Sequence, residues 1–208
     1  MTQSQWNHQE AAENRRLAAL LWRILRDAGV AAAQRRDFQI LDLACGECRE
    51  AETLVRVVHS LAEDAEAAVP QVRLLGADIR NREVTEAKQR FRSRADAQFE
   101  FLAADASRLE QHRQINADFD LTFLRHQNFW HDPAVWRRIF VQGLERLHEA
   151  GHLVITSYFD REHALAIKAL EEIGAELVVT ERHAESIALT SPGKSVDRHV
   201  AVFRKKRG

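Results

Sequence analysis

Apolar positions along the chain alternate between two periods. The first is helical. Leu17, Leu20, Leu21, Ile24, Leu25 and Ala28 recur at i, i+3, i+4, i+7, i+8 and i+11, the spacing of one buried helix face, and Gly29 supplies the stop. A short apolar run over 38–43 follows and breaks at Ala44-Cys45-Gly46. A second helical face begins near Arg49 and carries Leu54, Val57, Val58, Leu61 and Ala65. After Pro70 the pattern predicts a strand over 72–77 and a helix presenting Val84, Ala87 and Phe91, with Glu86 and Arg90 as an i, i+4 pair. A strand over 98–103, a short helix over 107–115 and a strand over 118–124 come next. Asp132-Pro133 opens a helix whose buried face is Trp136, Ile139, Phe140, Gly143, Leu144 and Leu147. A fifth strand ends at Tyr158. A helix with Ala166, Ala169, Leu170 and Ile173 stops at Gly174, and two strand patterns, over 175–190 (bent near Arg182-His183) and 196–204, flank Ser191-Pro192-Gly193.

Strands that alternate with helices specify an α/β fold with a mostly parallel sheet. We therefore expect a doubly wound, seven-stranded sheet closed by an antiparallel hairpin, with an added N-terminal helix. The expected organisation is a single domain over 1–208, with a helical cap over 1–36 and a Rossmann-like core over 37–208. Composition changes this picture little. The 208 residues are 45% hydrophobic and 29% charged, enough for a real core, and the net charge of -1 gives no global drive towards nucleic acid or membrane. Arg204-Lys205-Lys206-Arg207 reads as a solvated tail. No apolar run approaches the ~18 residues of a membrane span, and residues 1–10 lack a signal-peptide core. Two cysteines make no disulfide framework, so a reduced, cytoplasmic protein is the expectation.

Three short motifs invite specific chemistry. Cys45 and Cys48 stand at C-x-x-C spacing, but a zinc site of this kind needs a second ligand pair. His148-Glu149-Ala150-Gly151-His152 matches H-E-x-x-H, yet Gly151 and the strand pattern directly after it argue against the helix a zincin requires. Ala188 to Ser195 fits a permissive phosphate-loop pattern, although a strand follows where that loop demands a helix. None of the three is taken as a site, and no metal is expected.

The strand–turn–helix opening at Asp42-Leu43-Ala44-Cys45-Gly46-Glu47-Cys48 resembles motif I of the class I S-adenosylmethionine-dependent methyltransferases. Asp42 stands at the acid, Ala44 at the first glycine, Gly46 at the second and Cys48 at the third. Asp78 closing the second strand, Asp105 after the third, the lead-in to strand five and the closing hairpin follow in that family's order. The resemblance covers roughly residues 38–205. It implies S-adenosyl-L-methionine as cofactor, with Asp42, Ala44, Cys45 and Gly46 around its methionine end and Asp78 with Ile79 at the ribose. Asp105 would read the adenine amino group and Ala106 would offer a backbone donor. Asp78 and Asp105 also suit helix caps, and the roles are compatible at Asp78.

Loops after strands one and four flank the point where strand order reverses in such folds. Arg125, His126 and Asn128 in the second loop are therefore the candidate catalytic residues, Arg125 also facing the cofactor. His126 either accepts a proton or merely bonds backbone. The N-terminal helix either packs on the sheet or covers the cofactor edge, with Trp6, Asn7, His8 and Arg15 the residues placed to do so. The expected reaction is in-line methyl transfer, in which holding two partners in near-attack geometry supplies much of the rate. The expected acceptor is a small molecule, with protein or RNA also open. The amino-methyltransferase signature is absent, which argues against DNA. A binding protein without transferase activity is the alternative, and an NAD enzyme a further one. Against the latter, Asp42, Glu47 and Glu50 crowd a turn where a pyrophosphate needs to be free of anions.

Overall fold

The computed structural model describes residues 3–32, 36–115 and 118–206, with side chains from residue 8 onward. In chain order the elements are α1 (Gln3–Asp27), β1 (Asp37–Leu43), α2 (Ala51–Asp64), β2 (Gln71–Asp78), α3 (Asn81–Arg90) and β3 (Ala97–Ala103), then β4 (Phe119–Leu124), α4 (Pro133–Glu145), β5 (Leu147–Ser157) and α5 (Asp160–Glu172). Four strands follow: β6 (Ala175–Arg182), β7 (Ile187–Ala188), β8 (Ser195–Val196) and β9 (His199–Lys205). The main sheet has seven strands in the order β3-β2-β1-β4-β5-β9-β6, and β7 pairs with β8 separately. Strands β1 to β5 run parallel, while β9 lies antiparallel between β5 and β6. The expected doubly wound sheet and closing hairpin are both present.

The period-2 alternation of each strand divides the core. Phe38 and Ile40 point to the face covered by α1, α2 and α3, where they meet Leu17, Leu21, Leu54, Val58 and Val84. Leu41 and Leu43 point to the other face and pack with Ile139 and Phe140 of α4 and Leu170 of α5. Every residue of β4 is buried, as expected for a central parallel strand covered on both faces. The predicted stripe of α1, Leu17 to Leu25, is almost entirely inaccessible. Asp132 caps α4 by accepting the Val135 N–H at 3.1 Å, with Pro133 in the first turn.

Several local expectations fail for identifiable reasons. Residues 107–115 form only one 3-10 turn, Leu109–Gln111, because Asp105 takes the Ser107 N–H and hydroxyl and holds the chain in a turn. Glu86 pairs backwards with Arg82 at 3.0 Å, since Arg90 is drawn across to Glu10 and Glu47. Ala65 lies beyond the end of α2 and is exposed. The H-E-x-x-H residues lie in strand β5, not on a helix; His148 bonds Asp120 at 2.9 Å. Gly151 sits so close to the Phe119 carbonyl that a Cβ would meet it at 2.7 Å. The phosphate-loop-like stretch is the turn between β7 and β8, with Lys194 N–H on the Ser191 carbonyl. No helix among the described residues is long and apolar enough to cross a membrane.

Candidate functional site

Strand order reverses between β1 and β4, and the loops leaving these two strands diverge there to leave a crevice. It is a cleft of about 460 Å³ lined by Glu13 of α1, the β1 loop from Ala44 to Glu47 with Arg49 and Glu50, Arg80 and Glu83 after β2, Arg125 and His126 after β4, and Tyr158 after β5.

The β1 loop is built on three left-handed residues, Ala44 (φ 54), Gly46 (φ 57) and Cys48 (φ 49). For Ala44 and Cys48 that conformation costs roughly 1–2 kcal/mol each, so the surroundings must hold it. They do so through four bonds. Cys45 N–H reaches the Ala77 carbonyl at 3.3 Å, Gly46 N–H donates to Asp78 Oδ2 at 2.7 Å and Cys48 N–H donates to the Cys45 carbonyl at 2.8 Å. The Asn14 amide holds the Arg49 carbonyl at 3.1 Å. Cys48, at the third glycine position, turns its thiol inward onto Asp42 Oδ2 at 3.0 Å. Asp42 is wholly buried, and its Oδ1 has no hydrogen-bond partner among the described residues. Burial, with Glu50 nearby, pushes its carboxyl well above the usual range.

Asp78, at the end of β2, is 3% exposed. Its carboxylate accepts Gly46 N–H, then Arg80 N–H at 2.9 Å, Arg80 Nε–H at 3.0 Å and Nη2–H at 3.3 Å. Burial works to raise its pKa, but the Arg80 bonds prevail and hold it below the usual range. Ile79 beside it is 69% exposed, an unusual degree for an isoleucine. Asp105 stands half-exposed past β3 and Ala106 is buried. The strand ends are tied by Ala104 N–H to the Asp78 carbonyl at 3.0 Å.

The β4 loop carries a buried charge network. Arg125 reaches Glu50 with Nη1 at 3.1 Å and Asp197 with Nε at 3.2 Å and Nη2 at 2.8 Å. Asp197, 2% exposed in the turn between β8 and β9, also accepts the Thr156 hydroxyl at 2.9 Å. Its Oδ1 lies 2.8 Å from His126 Nε2. Burial opposes ionisation of Asp197, yet Arg125 and then His126 hold its carboxyl far below the usual range; Arg125 is correspondingly raised. The same Nε2 also accepts the Asp197 backbone N–H at 3.2 Å, so Asp197 grips one edge of the ring twice and Nδ1 is the ring nitrogen it leaves uncontacted. His126 is itself left-handed (φ 55), is held by its own N–H on the Thr156 hydroxyl at 2.9 Å, and stacks on Tyr158 at 3.9 Å between ring centroids. Burial pushes the Tyr158 phenol up to about 12, with Asp197 adding to it.

The structure thus gathers Ala44, Cys45, Gly46, Arg125 and His126 along one cleft, with Asp42 and Asp78 just beneath it. Asn128 is exposed and lies off the cleft lining, its carbonyl taken by His131 N–H. His8 and Arg15 are exposed; the side chains of Trp6 and Asn7 fall outside the described residues. Asp197 and Thr156 escape sequence reasoning altogether. Asp197 lies 71 residues from His126, in a turn with no motif of its own.

Comparison with known proteins follows the same outline. Residues 19–140 match the model of the ubiE/COQ5 methyltransferase family. No curated protein matches the sequence closely enough to count as a relative. Among solved structures, a TehB-like SAM-dependent methyltransferase from Corynebacterium glutamicum aligns with TM-score 0.54 and 21% identity, over 94% of this chain and 100% of the other. A S-adenosylmethionine-dependent methyltransferase from Clostridium acetobutylicum aligns with TM-score 0.63 and 13% identity, over 93% and 92%. An rRNA methylase from Streptococcus thermophilus aligns with TM-score 0.57 and 12% identity, over 88% and 95%. At these identities the likeness is one of fold.

Proposed function

The chain belongs to the ubiE/COQ5 methyltransferase family and is a SAM-dependent methyltransferase, and from that premise we propose that it methylates a small acceptor that must lose a proton, with His126 as the base. The observation that carries this reading is the His126–Asp197 contact on the cleft wall. A strained histidine whose Nε2 is fixed by a buried carboxylate presents Nδ1 in one orientation.

The donor set suits the cofactor. S-adenosyl-L-methionine supplies a methyl group already activated by its sulfonium. Asp42, with an unpartnered buried oxygen beneath the cleft, suits the cationic end of such a molecule. Ala44, Cys45 and Gly46 let the backbone come close, Asp78 offers carboxylate oxygens to ribose hydroxyls, and exposed Ile79 offers an apolar surface to the base, with Asp105 and Ala106 at its edge. Asp78 can do so only when the 57%-exposed Arg80 side chain swings off its oxygens. His126 then takes the acceptor's proton at Nδ1, and Asp197 stabilises the imidazolium formed.

A small acceptor is favoured over RNA by charge. The cleft's three arginines are all committed to carboxylates: Arg49 to Glu47 and Glu10, Arg80 to Asp78 and Glu83, Arg125 to Glu50 and Asp197. Among the described residues that line the cleft, no arginine is left without a carboxylate to attract a phosphate backbone.

The test begins with thermal unfolding in S-adenosylhomocysteine. At ~100 times its dissociation constant a ligand stabilises by about 2.7 kcal/mol, a midpoint rise of roughly 5–10 °C at this size. Screening an acceptor panel then identifies a substrate, on which His126→Gln is compared. The variant should keep its S-adenosylhomocysteine affinity and lose roughly 10²–10⁴-fold in kcat. Full activity in His126→Gln would remove the base from the mechanism, and loss of cofactor binding would reassign the loop.

A further inference from the structure

The C-x-x-C pair gains in three dimensions the partner it lacks in sequence. Cys45, Gly46, Glu47 and Cys48 form a tight turn closed by the Cys48 N–H bond to the Cys45 carbonyl. The turn brings both thiols over the end of β1, where Asp42 is the last acid. One ligand atom each from Asp42, Cys45 and Cys48 lie within 4.8 Å of one another. Zinc bonds of about 2.3 Å to sulfur and 2.0–2.2 Å to oxygen, at tetrahedral angles, separate ligand atoms by roughly 3.5–3.8 Å. The three atoms are therefore within a small adjustment of a coordinating set.

A second observation points the same way. Asp42 is fully buried beside Glu50, a weak thiol donor holds its Oδ2, and Oδ1 has no hydrogen-bond partner among the described residues. A buried carboxylate left so poorly satisfied is costly, and a bound cation is one of the few groups that relieves it. Cys48 is inaccessible, whereas Cys45 is half-buried on the cleft wall, so an ion has a route in and a fourth coordination position facing the cleft.

We propose that Asp42, Cys45 and Cys48 form a binding site for a thiophilic divalent cation of the zinc class, and that this cation and the methyl donor exclude each other. The exclusion rests on the assignment of Asp42 to the donor's cationic end; the metal site does not. Binding releases the two thiol protons to solvent as the sulfurs become thiolate ligands, so affinity rises steeply with pH. The three protein ligands leave one position for water. The consequence is a methyltransferase silenced by a metal that occupies its cofactor loop.

The experiment titrates the reduced full-length chain with zinc against a chelating indicator, then measures S-adenosylhomocysteine affinity with and without one equivalent of zinc. We expect one zinc per chain at about 1 μM or tighter. Cys45→Ser should weaken it at least 100-fold, Asp42→Asn about tenfold, and His148→Gln with His152→Gln should leave it unchanged. Circular dichroism of each variant separates loss of the site from loss of the fold. Binding that survives Cys45→Ser, or that disappears with the two histidines, overturns the site. So does loss of both thiols, two mass units lighter, with no metal taken up. Zinc binding with unaltered S-adenosylhomocysteine affinity overturns the exclusion alone. Failure of the zinc-free chain to bind S-adenosylhomocysteine is read separately, against the donor-site assignment.

Discussion

Replacing Asp197 by Asn tests whether the buried charge network holds the catalytic loop. The substitution keeps shape and one acceptor oxygen but deletes the charge that faces Arg125 and His126. Arg125, 11% exposed in its side chain, keeps only Glu50 as a counter-charge, and the single oxygen that remains faces the His126 ring and the Thr156 hydroxyl without a charge. Breaking one partner of a buried pair costs about 3–5 kcal/mol, and the retained oxygen argues for about 3. At 2–4 °C per kcal/mol for a chain of this size, the unfolding midpoint should fall by roughly 6–12 °C. The pH dependence gives a second readout. The folded-state pKa of Asp197 lies below the ordinary value of 3.8, so its stabilisation is present above that value and fades only as the pH falls beneath it. The difference between wild type and Asp197→Asn should therefore be flat from pH 5 to 8 and shrink only below about pH 4. Calorimetry at several pH values, with refolding checked, measures both. In the folded variant kcat should drop at least about tenfold while S-adenosylhomocysteine affinity stays within a few-fold. A midpoint within about 2 °C of wild type would refute the reasoning, since it would mean the network contributes under 1 kcal/mol.

Other outcomes follow from single contacts. Glu162, 2% exposed with one oxygen unpartnered, is raised by burial to about 7. A folded pKa above the unfolded 4.5 means stability is lost as pH rises between them, so Glu162→Gln should gain about 2 kcal/mol at pH 8 and nothing at pH 4.5, read from the melting midpoint. His163, held by Ser157 and Thr180 and lowered by burial to about 4, acts in the opposite direction. It costs stability as pH falls from 6.5 towards 4, and His163→Gln should flatten that acid limb in urea titrations. Arg80→Ala frees the Asp78 carboxylate and should leave S-adenosylhomocysteine affinity equal or higher, whereas Asp78→Ala should lower it severely; calorimetric titration of the pair decides which residue serves the cofactor. Gly46→Ala places a methyl 3.0 Å from Arg80 Nη2 at a φ of 57 and should cost roughly 1–2 kcal/mol and weaken cofactor binding.

The fold was legible because period and punctuation agree along the chain. Strands buried on both faces read as unbroken apolar runs, Asp132-Pro133 marked a helix start, and Gly29 and Gly174 marked helix ends. Where a side chain bonded its own backbone, as Asp105 does at Ser107, the expected helix gave way to a turn. The residues proposed for the cofactor were easy to place because they sit at strand ends, positions that a sequence pattern fixes. The loop after β4 was only half legible. His126 and Arg125 announced themselves by loop position, but what orients them is Asp197, brought there by the antiparallel return of β9. Exposure also lies outside sequence patterning: nothing marked Asn128 as facing away from the cleft while its neighbour His126 faces in.

That return of β9 has a consequence for how the protein is made. β9 is synthesised after β5 and β6 yet inserts between them, so during translation neither can reach its final neighbour on that side. Until it arrives, β5 presents Leu153 to Thr156 as a bare, apolar edge, the kind of edge that other chains pair with. Asp197 arrives with the same segment, which means that Arg125 has only Glu50 as a counter-charge, and His126 lacks its carboxylate contact, until the sheet is sealed. A nascent chain stalled short of β9 would carry that open edge and an incomplete charge network, so the same event that removes the hazard of misassembly completes the cleft wall.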